Sequence, residues 1–157
     1  MDETHPSGPG PGPAPPLPEE EFESIFAKVP RLTVEVVLTS PNGVLLARRL
    51  SGPCRGLWAL PGGTVRLGEP LTDAVVRVAR EELDVEVATG RLLGYLEYPS
   101  HLRDGLGWPV GIAFAATLRK GAAHLSQAGA VEWFSALPKA MHEEQRSFLV
   151  AHGLGGD

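Results

Sequence analysis

The stretch Gly62–Val85, "GGTVRLGEPLTDAVVRVAREELDV", opens on a glycine pair and ends on adjacent acids inside what reads as a helix. Pro70 suits a first helical turn, where its missing N–H has no partner to lose, and it puts Glu69 at or near the N-cap. The spacing predicts a helix from Pro70 to about Leu83. Leu71, Ala74, Val75, Val78 and Ala79 recur at i, i+3, i+4, i+7 and i+8 and mark the face that meets a sheet. Glu82 follows Val78 by four residues, so at about 100° per residue it stands only about 40° from the centre of that stripe. A carboxylate turned toward an apolar interior is costly unless a cation or donors offset it. Glu81 follows Arg77 by four residues, which makes either an ion pair or part of a solvated face.

The rest of the chain sets the frame for this helix. It has 157 residues, 43% hydrophobic and 21% charged, which suits one domain with a real core. A net charge of -5 argues against an extended nucleic-acid footprint, which needs a basic face. A single cysteine, Cys54, excludes an internal disulfide and a multi-cysteine zinc cluster, and reads as a loop residue. The start lacks a basic-then-apolar pattern and no apolar run approaches a membrane span, so the expectation is a soluble cytoplasmic protein with no membrane partner. Residues 1–18 hold seven of the fifteen prolines and little that packs, and read as a flexible Pro/Gly-rich tail ahead of a domain over 19–157.

Within that domain "EEEFESIFAKV" reads as a short amphipathic helix with an acidic first turn. "LTVEVVLTS" and "GVLLARR" flank Pro41-Asn42-Gly43 and read as a hairpin, with Glu35 an acid inside an apolar strand. "GLWALPGG" reads as a third strand. Two long strands surround the loop "HLRDGLG", "AVEWF" is a last short strand, and "KAMHEEQRSFLVAHGL" is a closing helix that buries Met141, Phe148 and Leu149. Strands on both sides of a central helix imply an α/β layered domain around a mixed sheet.

Glu69, Glu81 and Glu82 near a glycine pair are hard oxygen donors of the kind Mg²⁺ takes beside substrate phosphates, and glycine lets a backbone carbonyl approach the ion. At this point the chain resembles the Nudix hydrolases, whose box is G-x5-E-x7-R-E-U-x-E-E-x-G-U. Gly63, Glu69, Arg77, Ala79, Glu81, Glu82 and Val85 stand at matching positions across residues 63–85. Val78 replaces one glutamate of the box and Asp84 its glycine; Asp tolerates the left-handed conformation expected there. The resemblance implies an α/β/α sandwich around a mixed sheet, a Mg²⁺ cofactor that Mn²⁺ can replace, and a small-molecule nucleotide substrate. It also implies pairing of two chains into a homodimer.

The chain is also similar to the GDP-mannose mannosyl hydrolase branch in "EEEFESIFAKVPRL", Glu35, "LLARR", "GLWALPGG" and Gln127 ahead of "EWF". That likeness implies Mg²⁺ held by Gly62, Glu82 and Gln127, with Arg49 and Glu35 near the substrate; neutralising charge on phosphate oxygens is a task for Mg²⁺ and Arg49 or Arg48. Ala128 stands where the branch has its base histidine, and Thr64 where it has an arginine. Glu81 is the base candidate by resemblance, with Arg77 beside it; His124 and His101 are loop histidines within reach. Trp58, Tyr95, Tyr98 and Trp108 either stack a base or pack the core. The leading expectation is a Mg²⁺-dependent hydrolase of a nucleoside diphosphate linked to another group, a sugar among the options. The rival is a non-catalytic nucleotide-binding domain, suggested by Val78 and Ala128.

Overall fold

The computed structural model describes residues 12–120 and 130–156. Seven strands form one mixed sheet: β1 (Arg31–Ser40), β2 (Gly43–Arg48), β3 (Trp58–Ala59), β4 (Gly62–Thr64), β5 (Glu86–Glu97), β6 (Pro109–Lys120) and β7 (Val131–Phe134). The helices are α1 (Glu19–Phe26), α2 (Leu71–Leu83), α3 (Pro99–Arg103) and α4 (Glu143–Ala151). β1 runs parallel to β6 and antiparallel to β4 on its other edge, while β5 is antiparallel to β6 and β2 pairs with β3 and β7. β1 is therefore covered on both edges and both faces. That is why its centre reads as an almost unbroken β-branched run, with Glu35 as the one acid.

Alternation along β1 divides the core. Val34, Val36 and Leu38 pack with Val75, Val78 and Leu83 of α2, and Val37 joins Leu46, Leu96, Tyr98 and Leu149 on the opposite face, under α4. Helices on both faces of a mixed sheet give the α/β/α sandwich. The hairpin forms as expected, through Thr39↔Val44 and Ser40↔Gly43. Gly43 sits at φ +113°, and a Cβ there would overlap the Phe134 carbonyl on β7.

Four local expectations need correcting. Pro70 is the N-cap rather than the first helical residue: its ψ is 143° and its carbonyl accepts from Ala74 N–H at 3.0 Å, so α2 begins at Leu71 and Glu69 stands before the cap. "GLWALPGG" is two strands, because β3 pairs with β2, Pro61 interrupts the ladder, and β4 resumes on β1. The loop after β5 contains a helical turn, α3. The closing helix starts at Glu143 instead of Lys139, because Met141 makes a parallel bridge to Trp58 and enters the core ahead of the helix.

Asp84 takes the left-handed conformation at the end of α2, φ 54° and ψ 41°, as its residue type allows. At the other end of the chain, Ala14 N–H donates to the Leu67 carbonyl at 2.9 Å, so the proline-rich stretch contacts the domain short of residue 18. Among the described residues no helix is long and apolar enough to cross a membrane.

Candidate active site

β1, β2 and β4 meet the end of α2 around a polar cavity of about 270 Å³. Glu35, Arg48, Arg49, Gly62 and Glu82 all line it, so five residues singled out in the sequence share one space. Arg31, Tyr98, His101, His142 and Gln145 complete the polar wall.

Glu35 is the most constrained of these. It is 6% exposed, and its Oε1 accepts from Tyr98 Oη at 2.9 Å and Thr33 Oγ1 at 3.1 Å. Tyr98 Oη in turn accepts from Gln145 Nε2 at 3.1 Å, and Gln145 Oε1 accepts from Leu60 N–H at 2.7 Å. Glycines on both neighbouring strands make room for the carboxyl, because a Cβ at Gly62 would overlap its Oε2 and one at Gly111 would crowd its Oε1. Burial pushes the Glu35 carboxyl up to about 7, against the opposing pull of the Tyr98 and Thr33 hydroxyls and of Arg31 and Arg49. It is thus poised to exchange a proton near neutrality. The same burial, with Glu35 adjacent, raises the Tyr98 hydroxyl well above its ordinary range.

Glu82 reaches the cavity from the last turn of α2, but it remains exposed instead of tucking under the helix. Partial desolvation by the cavity wall raises its carboxyl, Arg49 opposes the rise, and Glu81 adds to it. Its partners Glu69 and Glu81 lie elsewhere. Arg77 donates from Nε and Nη2 to the two Glu69 oxygens at 2.7 and 2.9 Å, from Nη2 to the Thr64 carbonyl at 2.9 Å, and from Nη1 to Glu81 at 2.9 Å. The second Glu81 oxygen accepts from Arg66 at 3.1 Å. These hydrogen bonds from Arg77 hold the Glu69 carboxyl below the usual carboxylate range.

Neither Glu69 nor Glu81 lines the cavity, and their carboxylates are paired with Arg77 and Arg66. Arg77 acts as a bracket, tying the loop before α2 to the helix. Gln127, Ala128 and His124 lie outside the described residues.

Sequence reading missed four contributors. Arg31 donates to Thr64 Oγ1 at 2.9 Å, so a guanidinium from β1 reaches the cavity beside the threonine that stands in an arginine's place. Thr33, His142 and Gln145 were not singled out. His142 and Gln145 precede Leu149 at i, i+3 and i+7, the same polar intrusion on a buried face that drew attention to Glu82. Tyr98, read as a stacking or core residue, is a buried hydrogen-bond donor to Glu35. Tyr95 is 68% exposed and belongs to neither.

The NUDIX domain family model matches residues 29–149. The chain belongs to the NUDIX family. Among relatives, this NUDIX domain is 48% identical over 82 residues to the low-salt glycan biosynthesis protein Agl8 of Haloferax volcanii, covering 52% of this chain and 53% of that protein. It is 36% identical over 85 residues to an ADP-ribose pyrophosphatase of Methanocaldococcus jannaschii, covering 54% and 49% respectively. The matches span about half the length of each relative. Among solved structures, the MutT NUDIX hydrolase from Burkholderia pseudomallei superposes with a TM-score of 0.64 at 26% identity, over 78% of this chain and 98% of the other.

Proposed function

We propose that this NUDIX domain is a divalent-metal-dependent hydrolase of nucleoside diphosphate derivatives, with nucleotide sugars as the leading class, and that it directs water to phosphorus. The observation that carries the reading is the convergence of Glu82, Gly62, Arg31, Arg48, Arg49 and Glu35 on one polar cavity. The donor set lining the cavity, the Glu82 carboxylate and the Gly62 backbone, consists of hard oxygen donors that suit Mg²⁺ or Mn²⁺. An ion held by these groups would neutralise diphosphate oxygens and acidify a bound water.

The chain's own residues do the rest. Arg31, Arg48 and Arg49 offset negative charge on the diphosphate, more in the transition state than in the bound substrate. Glu35 accepts the proton of the attacking water as the oxygen adds to phosphorus and the bridging P–O bond breaks, which leaves a nucleoside monophosphate and the phosphorylated second group. This departs from the expectation of Glu81 as base, because both Glu81 oxygens are taken by arginines and the residue does not line the cavity. Glu69 and Arg77 are positioning residues that set the pose of α2.

The names of two relatives, a glycan biosynthesis protein and an ADP-ribose pyrophosphatase, support substrates that join a sugar to a nucleoside diphosphate. The test is turnover of a panel of nucleotide sugars and ADP-ribose with Mg²⁺ in ¹⁸O water. Label in a phosphate product is expected, and Glu82→Gln should reduce turnover more than about 100-fold while the fold is retained. Label in the free sugar would move the attack to carbon. Binding with no product would favour the non-catalytic reading.

A further inference from the structure

We propose that Cys54, His101 and His142 form a separate metal site for a borderline-soft ion such as Zn²⁺, at the rim of the polar cavity. One ligand atom from each of the three lies within 4.8 Å of the others. The loop after β2 supplies Cys54, α3 supplies His101, and the residue capping α4 supplies His142, so three distant segments converge on the point. Nothing in the hydrolase reading uses this thiol.

The imidazoles face each other, Nε2 to Nε2 at 3.0 Å. Two nitrogens bound tetrahedrally to zinc at about 2.05 Å stand about 3.3 Å apart, and a thiolate sulfur at about 2.3 Å stands about 3.6 Å from each. The pair opens by a few tenths of an ångström and the sulfur closes by about an ångström at most. A hydrogen bond between the rings would account for the nitrogens alone. It leaves the sulfur beside them unexplained, along with the backbone that delivers it: Cys54 sits at φ 63°, a left-handed conformation that is costly for a residue with a side chain.

A carboxylate stands behind the His142 ring. His142 Nδ1 lies 3.2 Å from Glu144 Oε2, off the line of a good hydrogen bond, and Glu144 is itself held by Ser100 N–H at 2.8 Å. A carboxylate behind one ring nitrogen directs the other toward a metal, as outer-shell carboxylates do.

Three protein ligands leave a fourth position, and His101 and His142 line the polar cavity while Cys54 and His101 line its neighbour. Water or a phosphate oxygen fits that position, with Arg31 and Arg49 supplying complementary charge. The ligand set is Cys-His₂, distinct in hardness from the oxygen donors around Glu82.

Cobalt(II) is the probe, titrated into the full chain in an anaerobic, thiol-free buffer. One equivalent should produce a near-ultraviolet thiolate-to-cobalt charge-transfer band, which zinc displaces. Cys54→Ser should abolish the band with the far-ultraviolet circular dichroism unchanged. His101→Asn should weaken cobalt binding at least 10-fold, and Glu82→Gln should leave the band intact. Absence of the band, its survival in Cys54→Ser, or its loss in Glu82→Gln would each overturn the site. None of these readouts depends on hydrolase activity, so this site and the hydrolase reading stand or fall separately.

Discussion

Replacing Glu35 by glutamine should stabilise the protein at alkaline pH, and the size of the gain follows from the cavity. The carboxyl is pushed up to about 7 from an ordinary 4.5, with burial as the leading cause. A native carboxyl with a raised pKa binds its proton more tightly than the unfolded chain does. Folding therefore bears no penalty below the unfolded value, loses stability as pH rises from 4.5 through 7, and stays at the lower level above it. At about 1.4 kcal/mol per pH unit, that interval amounts to about 3 kcal/mol. Glutamine keeps an oxygen for Tyr98 and Thr33 and never ionises.

Urea unfolding at pH 5 and pH 8 gives the comparison. The variant should exceed the wild type by about 3 kcal/mol at pH 8 and by about 1 kcal/mol or less at pH 5. With an m-value of about 2 kcal/mol per molar, the urea midpoint moves by about 1.5 M at pH 8. Other carboxylates titrate equally in both proteins and cancel. A stability difference that is the same at both pH values would refute a strained, ionising Glu35. The same variant should lose turnover, since a base held at a cost in stability is the usual pattern at functional sites.

Tyr98→Phe removes a hydroxyl that favours the ionised form of Glu35, so the acid limb of the pH–rate profile should shift up by about one pH unit; an unmoved or lowered midpoint counts against the network. Arg77→Ala leaves the Glu69 carboxylate, whose side chain is 3% exposed, with the Arg66 N–H at 3.2 Å in place of a guanidinium, and should cost about 3 kcal/mol in urea unfolding at pH 7. That cost should shrink as pH falls below the ordinary carboxylate range, because Glu69 is held below it in the fold and its contribution disappears on protonation. Gly62→Ala drives a methyl into the Glu35 carboxyl and should cost about 1–3 kcal/mol, with much of it recovered in a Glu35→Ala background; no recovery would place the clash elsewhere.

Local pattern carried most of the fold. The apolar period of α2, the Pro41-Asn42-Gly43 turn and the left-handed Asp84 are each set by neighbours in sequence, and the structure places them where those neighbours demand. Met141 and the split strand around Pro61 were illegible for a shared reason. Trp58 pairs with β2 on one side and bridges to Met141 on the other, a partnership across more than eighty residues that no periodicity reports. The site divides the same way. Glu35 and Glu82 announced themselves as acids on apolar faces, whereas Arg31 reaches the cavity only because Thr33 of β1 pairs with Thr64 of β4, a register set by tertiary assembly. Helical geometry gave the bearing of Glu82 correctly but overstated its depth, because Leu83 fills the core at the last turn of α2 and Glu82 is left at the cavity edge.

Val78 shows why the incomplete box still makes a coherent site. Its side chain is 1% exposed in the core under β4, and a Cβ at Gly63 would lie 2.9 Å from its Cγ2, so glycine and valine fit each other at the crossing of strand and helix. A glutamate in that position would have to displace this contact or leave a charge in the α2 core, a loss of several kcal/mol without a cation to meet it. The apolar choice locks β4 onto α2, and Arg77 fixes the same junction from outside by joining Glu69, the Thr64 carbonyl and Glu81. With the helix held on both sides, the acids that line the cavity come from opposite elements: Glu82 from the end of α2 and Glu35 from the middle of β1. One is open to solvent and suited to a cation, and the other is enclosed and suited to a proton. On the proposed hydrolase reading, the departure at Val78 moves the proton acceptor from the helix to the strand, and Glu35, outside the box altogether, is the residue on which turnover should depend most steeply with pH.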